Sequence, residues 1–148
     1  MQRPSKTRRP AQRGFSLIEL MIVIAVTAIL ATLAMYNYGR YSFRARRADG
    51  REMLMRVAAA QERYFTNLNA YTALITDAAP AGLGFTSATS ERGYYNVTVA
   101  LANGGASYVL TATPVGPQAT DTCGALSLSD TGVKLPVGTG SGNNGNCW

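Results

Sequence analysis

Glu19 is the one ionisable side chain in the twenty residues from Phe15 to Ala34, a run whose other polar members are Ser16, Thr27 and Thr32. A carboxylate in that position has two uses. It can be half of a Ser16-x-x-Glu19 capping box, satisfying free N–H groups at a helix start and opposing the positive end of the helix dipole. Alternatively it can sit among apolar neighbours, where it needs a counter-charge.

Cys123 and Cys147 lie on the far side of the apolar run, which suits an oxidising compartment and a disulfide between them. Such a bridge closes a loop of about 25 residues, worth roughly 3 to 4 kcal/mol on the chain-entropy model. Two free, buried thiols are the alternative. The chain has no histidine, which removes the commonest general base and metal ligand together. Its serines and threonines lack that partner. Asp77, Asp121 and Asp130 lack calcium-loop spacing and read as solvated loop positions. No catalytic residue, cofactor or metal is expected, and the chain does not read as an enzyme.

The elements that position these residues follow from periodicity. A helix of twenty residues rises about 30 Å, enough to cross a membrane once. Five bases, Arg3, Lys6, Arg8, Arg9 and Arg13, precede it and leave nine bases against eight acids in the rest of the chain. No proline occurs between Pro10 and Pro80, so the helix is expected to continue to about residue 67. In its second half Leu54, Val57, Ala58, Gln61, Tyr64, Phe65 and Leu68 share one face, apolar but for Gln61. Residues 69–93 have no firm period and read as an irregular connector.

Tyr94 to Leu101, the turn Asn103-Gly104-Gly105, and Ser107 to Pro114 read as a β-hairpin. Ala125 to Ser129 and Val133 to Leu135, around Asp130-Thr131-Gly132, read as a second. The expected fold class is α+β: one long helix, membrane-spanning in its first half, packed on an antiparallel sheet of about four strands.

A secretory signal cut after Ala34 is a rival reading, since Thr32-Leu33-Ala34 offers small residues to a signal peptidase. Glu19 and the unbroken helical pattern beyond Ala34 weigh against it. Twin-arginine export fits less well, because Pro10 follows Arg8-Arg9 directly.

Arg13-Gly14-Phe15-Ser16-Leu17-Ile18-Glu19-Leu20 resembles the processing signature of type IV prepilins and pseudopilins: a basic leader, a glycine, an aromatic residue and a glutamate four positions later. The resemblance implies cleavage between Gly14 and Phe15 by a prepilin peptidase and N-methylation of Phe15. Cleavage creates an amine that, within a bundle of apolar helices, pairs with Glu19 of a neighbouring subunit and sets the axial register. Cys123 and Cys147 stand where the family's terminal cysteine pair would be. AAAQERYFTNLNAY and CGALSLSDTGVK look most like minor pilins of the PilE type. Many type IV pilins carry a proline where this chain has Tyr36, and Gly39 is the nearest breaker here.

The organisation implied is a leader over 1–14, an assembly helix over 15–38 and a globular pilin domain over 39–148. The leader is cytoplasmic and the helix crosses the bacterial inner membrane once before the subunit enters an extracellular pilus. The partners implied are other pilin subunits, the prepilin peptidase and N-methyltransferase, the inner-membrane assembly machinery and inner-membrane lipid. A type II secretion pseudopilin is the close alternative; a membrane-anchored adhesin or DNA-binding module is the remote one. The latter rests on Arg40, Arg44, Arg46, Arg47 and Arg51, interleaved with Tyr36, Tyr38, Tyr41 and Phe43. Lipid headgroups or acids of adjacent subunits are the simpler partners for those arginines, so nucleic acid stays the weaker expectation.

Overall fold

Helix α1, Leu17–Leu68, runs for 52 residues, through both Ala34 and Gly39. Its start is closed by the Ser16 carbonyl, which accepts the N–H groups of Glu19 and Leu20 at 3.1 and 3.2 Å. Its end is closed by Asn69 in the left-handed region at φ 57°, whose N–H donates to Phe65 C=O at 2.7 Å. Asparagine is the residue that most readily replaces glycine there. The computed structural model describes residues 14–136 and 146–148; of Tyr36, Asn37 and Arg40 the backbone alone is described.

The chain forms two compact units that meet in sequence at Asn37 and Tyr38. In the first, Leu17–Met35 has mean hydropathy 2.5, with none of it buried within the chain. That segment is long and apolar enough to cross a membrane.

The second unit is built on a four-stranded antiparallel sheet of β1 (Tyr95–Ala102), β2 (Ser107–Pro114), β3 (Leu126–Ser129) and β4 (Lys134–Leu135) in that order. Three strands begin one residue later than the sequence pattern placed them. The β1–β2 turn is Asn103–Gly105, in which all three residues have positive φ. Period-two alternation puts Tyr95 and Val97, Tyr108, Leu110 and Ala112, and Leu126 and Leu128 on the buried face. Their core partners on α1 are Met53, Leu54 and Val57. At Gly50 a Cβ would fall 2.7 Å from the Tyr95 ring, so a residue without a side chain is what lets β1 approach the helix this closely.

The apolar face of α1 is shifted from the sequence expectation. Leu54, Val57 and Gln61 are fully buried, and Met53 and Ala60 join them. Leu68 is not part of the core, being 48% exposed. The buried stripe ends a turn earlier, where Phe65 is half-buried and stacks on Tyr71 at 4.6 Å.

Gln61, the polar member of the stripe, acts as a backbone surrogate. Its Nε2 donates to Thr72 C=O at 2.5 Å and its Oε1 accepts Thr72 N–H at 3.1 Å, which ties the helix to the connector. The connector has no helix or strand of its own; it is held by Ile75 in the core and an isolated bridge from Thr89 to Asn96.

Candidate assembly site

Gly14, Phe15 and Ser16 precede the first turn of α1, and Glu19 lies in that turn. Leader residues 1–13 lie outside the described residues. Phe15 is 83% exposed, and the side chains that follow it in the apolar segment are exposed as well. The reciprocal capping box is not formed: neither the Ser16 hydroxyl nor the Glu19 carboxylate hydrogen-bonds to any described residue. The helix start is closed by backbone groups, and Glu19 has no counter-charge within the described chain. Insertion scales put a carboxylate at the middle of a membrane helix at about 2.5 to 3.5 kcal/mol, and less toward the interface. A charge supplied from outside the chain would offset that cost.

In the second unit the sequence reading of two residues is corrected. Asp121 is not a solvated loop acid, and Arg47 is not a surface arginine facing lipid or other subunits. They form a bidentate ion pair, Arg47 Nε to Asp121 Oδ2 at 2.6 Å and Nη2 to Oδ1 at 2.7 Å, with side chains 1% and 0% exposed. Burial without that partner would be costly for either charge, which is why they are found together.

Around the pair, Arg47 Nη1 donates to Asn146 C=O at 3.1 Å. Gln118 Nε2 donates to Asp121 Oδ2 at 2.8 Å and to the Tyr95 hydroxyl at 3.1 Å. Burial pushes the Tyr95 phenol above its ordinary pKa, and the Gln118 hydrogen bond lowers it in part. Gln118 Oε1 is buried with no partner among the described residues, a cost the network carries.

Cys123 and Cys147 are joined by a disulfide, with Cα atoms 5.6 Å apart. Asp121 and Asn146, the two groups that Arg47 holds, stand next to its two ends. The helix therefore grips the cysteine-bounded loop at both of its feet. A second buried acid, Asp49, accepts the Ser90 hydroxyl at 2.6 Å and Arg92 N–H at 3.1 Å, fixing the connector just before β1.

Sequence reasoning missed the clamp because Arg47 and Asp121 are 74 residues apart. One signal was present: Arg47, Gly50, Leu54, Val57 and Gln61 follow one another at three- and four-residue steps, so Arg47 belongs to the buried stripe. Its neighbours differ. Arg44 is exposed, Arg46 lies 4.9 Å over the Tyr94 ring, and Tyr38 and Tyr41 are 74% and 70% exposed. The Tyr36 and Arg40 side chains lie outside the described residues.

A bare apolar helical segment with one acid in its first turn, and a sheet domain closed by a C-terminal disulfide, define an α+β protein with one segment long and apolar enough to cross a membrane. Residues 37–127 match the family described as "Type IV minor pilin ComP, DNA uptake sequence receptor", and residues 9–35 match the "Prokaryotic N-terminal methylation motif". The chain belongs to the type IV pilin family.

Among its relatives, the "Type IV major pilin protein PilA" of Myxococcus xanthus is 32% identical over 91 residues, 62% of this chain and 39% of that one. "Type II secretion system protein H" of Escherichia coli is 45% identical over 51 residues, 34% of this chain and 29% of that one. The solved structure of a type IV pilin from Shewanella oneidensis is 28% identical, covers 72% of this chain and 97% of that one, and superposes with a TM-score of 0.50. The chain spans about half the length of the curated relatives it matches.

Proposed function

We propose that this protein is a non-enzymatic structural subunit of a type IV pilus, a minor pilin, cut between Gly14 and Phe15 by a prepilin peptidase and N-methylated at Phe15. Residues 1–14 are the leader, 15–38 the membrane and assembly helix, and 39–148 the periplasmic and then extracellular domain. Before assembly the helix crosses the inner membrane with its leader in the cytoplasm. Afterwards the subunit stands in an extracellular filament among other pilins, placed there by the inner-membrane assembly machinery, and serves pilus biogenesis, adhesion or twitching motility.

The observation that carries this reading is Glu19: an acid in a bare apolar helix, without a partner among the described residues, four residues from the amine that cleavage would create. Drawn into a bundle of such helices, the amine of one subunit and Glu19 of the next offset each other's loss of water and fix the axial step. Mass spectrometry of the mature N-terminus tests the cut and the methyl group together. A chain that still begins at Met1, or begins at Met35, would sink the reading. Glu19→Ala is expected to leave cleavage intact and to reduce recovery in sheared filaments.

The match to secretion protein H supports a pseudopilin role as the nearest alternative, over a shorter part of the chain. The family description of a DNA uptake sequence receptor supports a second reading for the exposed domain, DNA contact. With Arg47 buried, that contact falls to Arg44 and the remaining helix arginines. Retardation of duplex DNA by the full chain in detergent, weakening steeply with salt, is the measurement that decides it.

A further inference from the structure

Strand β1 lies at one edge of the sheet, and the described residues cover only part of that edge. At its start Tyr95 C=O accepts Ser90 N–H and Val97 N–H donates to Ala88 C=O, both at 2.8 Å. The odd-numbered residues of β1 thus turn their backbone groups away from β2. Past its end Gly105 C=O accepts Tyr71 N–H at 2.8 Å. Between these closures the alternation directs the N–H and C=O of Val99 and Leu101 outward, and no hydrogen bond joins them to a described residue on that side.

The segment 73–77 passes the gap without pairing. Its carbonyls are engaged elsewhere: Leu74 C=O accepts Leu83 N–H at 2.9 Å, Ile75 C=O accepts Phe85 N–H at 3.0 Å and Asp77 C=O accepts Gly84 N–H at 2.8 Å. A slot of about 340 Å³ remains, lined by Leu74, Ile75, Ala88, Val97 and Val99, with Asp77 its one ionisable residue.

Natural sheets blunt their edges with charge, proline, bulges or short strands, because an open edge templates another chain. The opposite edge follows that rule: β4 has two residues, one of them Lys134, and Pro136 follows. The β1 edge does not. From Tyr95 to Ser107 there is no charged residue and no proline, the β1–β2 register is continuous without a bulge, and Leu101 and Leu74 are 40% and 46% exposed.

We propose that the open half of β1, residues 98–102, is a strand-addition site for an extended segment of a separate partner polypeptide. The segment is apolar at alternate positions and carries a basic residue for Asp77. Main-chain bonds to Val99 and Leu101 supply the attachment, and one side chain entering the slot supplies selectivity. A second copy pairing through its own β1 edge fits poorly as occupant, because residues 95–107 carry no basic residue for Asp77.

Amide hydrogen exchange of the full chain in detergent, resolved by residue, tests this with the acetylated and amidated peptide KVTVTVK and a form N-methylated at alternate amides. At saturating peptide, exchange at Val99 and Leu101 is expected to slow at least about tenfold, while the central-strand amides of β2 stay unchanged. The methylated peptide should give no slowing. Leu101→Lys, at a half-exposed position, and Val99→Pro, which removes one outward N–H from an edge strand, should each weaken the peptide at least about tenfold. No slowing at either amide, equal slowing by the methylated peptide, or unchanged affinity in both variants overturns the proposal. So does slowing without peptide that depends on protein concentration, which would assign the edge to a second copy.

Discussion

Arg47 and Asp121 meet as a two-pronged ion pair with contacts of 2.6 and 2.7 Å, and neither side chain reaches water. A buried pair of this kind gives little net stability relative to a well-packed apolar pair, since both charges were desolvated to make it. Removing one partner is another matter, because the survivor stays buried. Asp121→Ala or Arg47→Ala is expected to cost about 3 to 5 kcal/mol in denaturant unfolding of the full chain. The double change Arg47→Met with Asp121→Leu should recover most of that loss. If either single variant unfolds like the parent, the pair is not the clamp described above.

The disulfide and the ion pair hold one loop from two sides, so their effects should not add. Replacing Cys123 and Cys147 by alanine is expected to cost roughly 3 kcal/mol on the loop-entropy account. Combining that change with Asp121→Ala should cost less than the separate losses together, since a loop already released has less to lose. Denaturant midpoints of the parent and the three variants complete the cycle. Full additivity would mean that the helix and the bridge act independently.

Gly50 sits in a helix interior, where alanine ordinarily stabilises by about 1 kcal/mol. Here the added methyl would meet the Tyr95 ring at 2.7 Å. That ring is fully buried, and its hydroxyl is held by Gln118, so it has little room to retreat. Overpacking of this type costs about 1 to 3 kcal/mol. Gly50→Ala is therefore expected to lower the thermal midpoint, the reverse of the usual helix result. A raised midpoint would show that β1 can back away from the helix.

The elements were legible in the sequence because each carries its own period. The apolar run, the absence of proline to Pro80, and the β-branched stretches flanking Asn103-Gly104-Gly105 are local signals, and they located α1 and all four strands to within a residue or so. Glu19 was legible for a different reason: an acid is conspicuous where every neighbour is apolar. What escaped was polar and long-range. Asp121 looks like any loop acid until its partner 74 residues away is known, and Arg47 was hidden among four other arginines although its spacing placed it on the buried stripe. Gln61 was visible as an oddity, but its purpose depends on Thr72, whose backbone it meets only after the chain has turned at Asn69.

Alkaline pH offers a test of the packing between α1 and β2. Tyr108 is 2% exposed, its hydroxyl donates to Glu62 Oε1 at 3.2 Å, and its ring meets Tyr71 edge-on at 4.6 Å. Burial, and next the negative charge of Glu62, raise its phenol well above the ordinary value of about 10. Burial raises Tyr95 in the same direction. A folded-state pKa above the unfolded one means that the native chain keeps a proton which the unfolded chain has released. The contribution is thus fully present below about pH 10 and is lost as pH climbs from there toward the folded value. Unfolding free energy measured across that range is expected to fall, and to fall less steeply in Tyr108→Phe. Phenolate absorbance should show these tyrosines ionising only as the protein unfolds. If they titrate in the folded state like exposed tyrosines, the helix and the sheet are less tightly closed around them than the buried contacts imply.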